Sequence, residues 1–447
     1  MIFSWMTKPS RFLFIAIISA ITLLPISVRA QDEVPVKLQM LSLADGLRLA
    51  TEESRVMKIA AFNKELASQD ISIARSRFFP VVNAQANYTM LAYQPGAIFG
   101  PQRVRTADKD YPSYGINAHQ TLYDFGARGA LYKASKESLE LTLTDIFRTK
   151  NLIALDFINI YFSLLESERM ILVGSREVEA LAAHQQMAKN LYDAGAITKN
   201  DLLQAGVRLS DARQRLLTLR NLRTFNESRI NNIISRPLNV EIAPVEVIET
   251  TTLPPVLEKS WETAMLSRPE IKIIDQELKI NELQETAKRS EYLPTFFAEG
   301  GYSYSKNQFM IHEDNWSVLV GLNFNIFNGG ATKAGVAKIR LRSEQIREEK
   351  NKLVDDIKLE VQRYYLDESN AGDNVLTTKD AIRQAEENLR INKVRYEEGV
   401  GTATDVLDAI SLLTLAEKNY YKALYDMRRA HAGLLYATGE DLSQTYK

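Results

Sequence analysis

Asp405 and Asp408 stand three residues apart in "GTATDVLDA" and form the most chemically loaded pair in the chain. One helical turn apart, their carboxylates face the same way. Two such groups could share a proton for hydrolysis or take up hard cations through their oxygens. Hydrolysis would need a concave pocket around the pair, which a helical hairpin tip does not supply. Other chemistry is thinly represented. The chain has no cysteine, so neither a thiolate nucleophile nor a disulfide framework is possible. His119, His184, His312 and His431 are scattered without HExxH-type spacing, and no metal site is expected. "YDFG" (Tyr123 to Gly126) contains a kinase-like triplet but has no accompanying "HRD" or glycine-rich strand, and reads as a strand-to-helix turn. "GVGTATD" follows a helix and lacks the lysine of a phosphate loop. No catalytic residue or cofactor is expected, and a net charge of −1 offers no basic face to nucleic acid.

The segment holding the aspartates occurs twice. "LYDAGAITKNDLLQA" (Leu191 to Ala205) returns as "RYEEGVGTATDVLDA" (Arg395 to Ala409), with Asp201 matched to Asp405 at an offset of 204 residues. "SIARSRFFPVVNAQANY" likewise answers to "TAKRSEYLPTFFAEGGY", aligning Pro80 with Pro294, and "YDFGARGA" to "FNGGATKA". The first copy carries about ten extra residues in the polar loop "QPGAIFGPQRVRTADKDYP". Residues 31–238 and 261–447 therefore read as two structural repeats, joined by a proline-rich linker at 239–260. Ahead of them, Lys8 and Arg11 precede the apolar run "FLFIAIISAITLLPI", with Val28 and Ala30 at the small-residue positions before a cleavage site. Residues 1–30 read as a secretory signal peptide. A mature chain beginning at Gln31 has no N-terminal cysteine to acylate, so no lipid anchor is expected.

Each repeat changes period in its middle. Residues 81–125 and 295–327 read as strand hairpins, most clearly in "NWSVLVGLNFNIF", where Trp316, Val318, Val320 and Leu322 alternate with Ser317, Gly321 and Asn323. Gln120 breaks the alternation in "YGINAHQTLY". Such strands, about twelve residues long with aromatics near their ends, suit an outer-membrane wall. Val320 is then assigned to lipid and Gly321 to the lumen. Four strands cannot close a barrel, and an open edge is not viable in lipid, so other copies must complete the sheet.

Residues 128–192 and 331–396 lack proline and are rich in helix formers. Gly195 and Gly399 end them, and Thr198 and Thr402 precede Asp201 and Asp405 in helix-starting cap patterns. Beyond the caps, Leu202, Ala205, Leu209, Ala212, Leu216 and Leu219 follow a 3,4 spacing, repeated from Val406 to Ala423. That 3.5-residue period makes a coiled-coil seam. Each repeat thus ends in a helical hairpin, with tips at 193–201 and 397–405. The fold expected is an α+β membrane protein built by internal duplication.

The order of these elements resembles the TolC family of bacterial outer-membrane efflux channels, and the stretch from Tyr396 to Glu440 is similar to the family's second tip and returning helix almost throughout. The resemblance covers essentially all of the mature chain. It implies a homotrimer whose protomers each give four strands to an outer-membrane barrel, continued by an α-helical barrel of antiparallel coiled coils through the periplasm. It also implies a periplasmic adaptor protein and an inner-membrane pump of RND, ABC or MFS type, serving efflux or type I secretion. Adaptor docking falls to the tip turns. The family's acidic aperture ring maps onto Asp405 and Asp408, and its tip-closing network onto Asn200, Asp201 and Tyr396. One departure is Gly401, where some members carry a basic partner; Arg395 or Lys199 could substitute. The competing reading is a secreted periplasmic coiled-coil scaffold that never inserts, which predicts heptads without alternating strands.

Overall fold

A computed structural model describes residues 39–247 and 256–446. The signal-peptide segment and residues 248–255 of the linker lie outside the described residues. In chain order the elements begin with β1 (Gln39–Leu41), α1 (Leu43–Glu52) and α2 (Arg55–Ser76), followed by β2 (Val81–Met90), β3 (Gly96–Phe99), β4 (Gln102–Arg105) and β5 (Asp110–Tyr123). The long α3 (Ala127–Asp193) and α4 (Lys199–Ile233) come next, and then β6 (Ile242–Pro244). The second half repeats the plan with α5 (Leu257–Ser267), α6 (Pro269–Arg289), β7 (Thr295–Ser305), β8 (Asp314–Asn323), α7 (Ala331–Glu397) and α8 (Ala403–Ala437), closed by the short α9 (Leu442–Thr445). Two details differ from the sequence expectation. The segment between β2 and β5 is not an open loop, because β3 and β4 pair as a small hairpin. The stretch expected as a helix-free linker contains β6 and ends inside α5, where the sequence from Leu257 to Arg268 has no proline.

Four strands form one antiparallel sheet in the order β2-β5-β7-β8. Its register sorts the side chains by face. Val82, Ala84 and Ala86 lie opposite Ala118, Ile116 and Tyr114, which in turn face Gly300, Tyr302 and Tyr304, and these continue to Val318 and Trp316 on β8. This face is apolar over the middle of the sheet; Gln120, whose amide folds onto the Thr121 carbonyl at 2.7 Å, breaks it near one end, and Asp110 (opposite Met90) and Asp314 (opposite Tyr304) lie on it at the other. The other face carries Asn83, Gln85 and Asn87, then Asn117 and His119, then Glu299 and Ser303, then Asn315 and Ser317. There His119 Nδ1 meets Glu299 Oε1 at 2.8 Å across the β5-β7 pair. A one-residue bulge between Thr121 and Tyr123 closes β5, and Asp124 then takes over. Its carboxylate accepts from the Gly126 and Arg128 backbone N–H groups and from Arg128 Nε, starting α3. The aspartate of "YDFG" is therefore a structural cap.

α3 and α7 have 67 residues each, about 100 Å at 1.5 Å per residue. Each pairs with the 35-residue helix that follows it. Where the first repeat meets the chain start, a core of Phe157, Ile158, Phe162 and Leu164 from α3 packs against Leu43 and Leu47 of α1, Ile230 of α4 and Tyr425 of α8. Over it lies a parallel ribbon of β1 and β6. Tyr161 clasps that ribbon: its hydroxyl lies 2.9 Å from the Leu41 carbonyl and 2.7 Å from that of Val245, and accepts from the Val245 N–H. Tyr161→Phe removes the hydroxyl's hydrogen bonds to the ribbon, a loss of about 0.5–1.5 kcal/mol. The expected result is a lower thermal midpoint, while an unchanged midpoint would show that the clasp is not needed.

Candidate functional site

The two helical turnarounds are built alike. Gly195 and Gly399 sit at φ +72° and +74°, the left-handed region in which a side chain is strained. That conformation closes a Schellman turn, with the Ala196 N–H donating to the Leu191 carbonyl in one copy and the Val400 N–H to the Arg395 carbonyl in the other. After three more residues the next helix begins at a reciprocal cap. The Thr198 hydroxyl accepts from the Asp201 N–H, and Asp201 Oδ2 accepts from the Thr198 N–H at 3.1 Å. Thr402 and Asp405 do the same at 3.2 and 3.0 Å. Thr198→Ala should therefore cost about 1 kcal/mol of local helix stability, read as faster proteolytic nicking between α3 and α4. Unchanged protection would contradict the capping role.

Above the turns, the seam residues Ala205, Leu209, Ala212 and Leu216 are buried, as are Val406, Ala409, Ala416 and Ala423. Leu181 of α3 and Leu389 of α7 join Leu209, Ala212, Val406 and Ala409 in one apolar core shared by all four long helices. The hairpins are thus packed together near their ends.

The structure separates the two aspartates of the second copy. Asp405 is half-buried and committed to its cap. Hydrogen bonds from Thr402, backbone first and hydroxyl second, hold its carboxyl below the usual aspartate range, with a smaller contribution from Arg395. Its contribution is present above the ordinary aspartate pKa and is lost as pH falls through the depressed value. Asp408 is exposed, with no hydrogen-bond partner among the described residues, and its counterpart in the first copy is Gln204. Capping accounts for Asp405 and leaves Asp408 without a structural role in the single chain.

Asn200, Asp201 and Tyr396 are not linked by hydrogen bonds within one chain. Asn200 is exposed, Asp201 serves its own cap, and Tyr396 is only 5% exposed with a hydroxyl that has no partner. Burial, with the nearby Asp201 charge, pushes the Tyr396 phenol up. Gly401 also has a local reason. A Cβ there would lie 3.1 Å from the Arg395 carbonyl carbon and from the Tyr396 nitrogen, so a side chain presses on the end of α7. Arg395 instead reaches the Val400 carbonyl at 3.5 Å, and among the described residues neither Arg395 nor Lys199 forms an ion pair.

Two features escaped sequence reasoning. Glu177, 6% exposed, is held by Arg215 of α4 at 2.6 Å and Lys418 of α8 at 3.4 Å, and Arg176 meets Glu417 at 3.1 Å. The Lys418–Glu177 and Arg176–Glu417 pairs bind one hairpin to the other above the tips, Arg215–Glu177 ties α4 to α3 within the first, and no local spacing signals such long-range partners. His184 is equally buried and lies against Tyr396, ring centroids 5.3 Å apart and tilted by 45°. Among the described residues no cluster of three or more histidines and acids could hold a metal ion, and no helix is long and apolar enough to cross a membrane.

The comparisons with known proteins agree with this architecture. Residues 46–235 and 261–440 each match the family described as outer membrane efflux protein. The chain is 21% identical over 403 residues to the outer membrane protein TolC of Vibrio cholerae, covering 86% of this chain and 87% of that one. It is 20% identical over 424 residues to the proteases secretion protein PrtF of Dickeya chrysanthemi, covering 90% and 88%. The Campylobacter jejuni CmeC outer membrane channel superposes with a TM-score of 0.77 at 16% identity, over 90% of this chain and 88% of that one. Two family matches on the two halves, the four-stranded sheet and the paired helical hairpins lead to one conclusion: the chain belongs to the outer membrane efflux protein family and is a TolC-like outer-membrane channel of efflux or secretion.

Proposed function

We propose that three copies of this chain close a twelve-stranded barrel and act as the passive exit duct of a tripartite system, driven by an inner-membrane pump through a periplasmic adaptor. The observation that carries the reading is the sheet: one apolar face, one polar face, and two unpaired edges on β2 and β8. Open edges are not viable in lipid, so the edges must pair with other copies. Further apolar surface supports the same assembly. α2, which leads into β2, exposes Val56, Ile59, Phe62 and Leu66 at helical spacing, and α7, which follows β8, exposes Leu341, Leu359 and Leu366. Copies placed side by side would cover both faces. The scaffold alternative gives no reason for an amphipathic sheet.

At the other end, the tips are the proposed docking place for the adaptor and the proposed gate. Three copies would gather Asp405 and Asp408 around the axis as a cation-attracting aperture. Asn200, Asp201 and Tyr396, idle toward one another within one chain, would contribute to closure between chains. The reading is tested by fractionation and bilayer recording together. An oligomer that stays in the outer-membrane fraction through salt washing and conducts in planar bilayers is expected. A salt-extractable monomer would sink the proposal.

A further inference from the structure

From the burial of His184 we infer that the helical tips carry a proton-operated release: protonation of His184 drives the first hairpin away from the second and opens the aperture. The inference rests on the channel reading above and adds a regulator to it. His184 on α3 and Tyr396 on α7 are each only 5% exposed, and their rings lie 5.3 Å apart at 45°. His184 Nε2 and the Tyr396 hydroxyl are both sealed from solvent, and neither has a hydrogen-bond partner. Native interiors seldom leave polar atoms idle on two touching rings, and each such atom calls for an explanation. A structural core would place two apolar side chains there. A rearrangement of the α3–α7 contact could instead give both atoms partners or water.

The surroundings of His184 determine the direction of the switch. On its own helix the nearest buried acid is Glu177, two turns back and already paired with Arg215 and Lys418. α7 presents Lys393 and the neutral Tyr396, α4 presents Asp201 close enough to act on Tyr396, and α8 packs Ala403, Val406, Leu407 and Ile410 into the same core. Among the described residues, no carboxylate is hydrogen-bonded to His184 to receive an imidazolium. Burial first, and the Lys393 charge second, hold His184 below its ordinary value, so it is neutral while the tip is closed. Water entering between the hairpins would restore an ordinary pKa of about 6.5. Between the depressed and the ordinary value, the open tip binds a proton that the closed tip does not, so acidification moves the population toward the open form. One such group changes the open-to-closed ratio by at most about tenfold per pH unit in each protomer. Tyr396 supplies the receiving end: its free hydroxyl can accept from the new imidazolium N–H once the helices shift.

The test is planar-bilayer recording of the full-length assembly, with pH on the tip side lowered from about 7.5 to about 5.5, near the histidine range. The wild type should gain conductance steeply over that interval, whereas His184→Phe, which keeps the ring and removes the titration, should stay flat. The carboxylates of Asp405 and Asp408 are present in both proteins, so their titration cancels in the comparison. Should His184→Phe fail to assemble, His184→Gln carries the same comparison with a polar group that does not titrate. A flat wild-type profile, or an equal rise in the variant, would overturn the inference while leaving the channel reading intact. Absence of conductance from every assembled protein would overturn both.

Discussion

Val320→Arg is expected to remove most of the assembled barrel, at a cost of roughly 2–4 kcal/mol per protomer if the residue lies near the bilayer midplane. Val320 lies opposite Ala298 on β7, on the face that runs through Gly300, Tyr302, Val318 and Trp316. A guanidinium there has only hydrocarbon to face. Its control must point to the lumen from the same strand. Gly321 has the right parity, but a Cβ on it would meet Phe297 Cζ at 2.8 Å, so arginine there would test packing as well as polarity. Ser317, opposite Gly301 on the polar face, is cleaner. Ser317→Arg should keep most of its assembled protein in the outer-membrane fraction while Val320→Arg loses it. Equal losses would refute the assigned register.

The second large effect is expected at the aperture. If three copies bring Asp405 and Asp408 together as proposed, six carboxylates surround a narrow opening, and mutual repulsion is tolerable only with water or cations between them. The ring should pass cations in preference to anions and be plugged by divalent or trivalent ions. Because Asp405 also caps α8, its removal mixes two effects. Asp408 makes no such contact, so Asp408→Ala should reduce selectivity and block with the tip intact. The double change Asp405→Ala with Asp408→Ala should abolish both, measured as reversal potential and as block by added multivalent salt. Unchanged selectivity in the double variant would place these residues away from the axis.

Much of the architecture was legible because it rests on local rules. Period-two alternation in "NWSVLVGLNF" fixed which residues share a face, and even the misfit Gln120 was visible as a break in pattern. The glycine turns and the Thr-x-x-Asp caps were legible because their hydrogen bonds close within six residues. The helix seams followed from a 3.5-residue period, and every named seam residue is buried or partly buried. What remained hidden depends on partners far apart in the chain. The β1–β6 ribbon joins residues some 200 positions apart in three-residue strands too short to carry a pattern. His184 looked like one of four scattered histidines, and only the packing of α3 against α7 sets it beside Tyr396. Glu177 reads as an ordinary helix-surface acid until Arg215 and Lys418 arrive from two other helices. Gly401 could be noticed as a departure, but its cause, the crowding at the end of α7, is a matter of three-dimensional contact.

The central claim is that the free edge of β2 in one copy pairs with the free edge of β8 in another, and that three copies close the ring. The chain has no cysteine, so introduced thiols report without background. Ala84→Cys on β2 would be combined in turn with cysteine at Val318 or Val320 on β8, all on the apolar face of the sheet. After oxidation in outer membranes, denaturing gels should show a disulfide-linked ladder that ends at three chains. Only monomer in every combination, or a ladder that continues past three, would contradict the account.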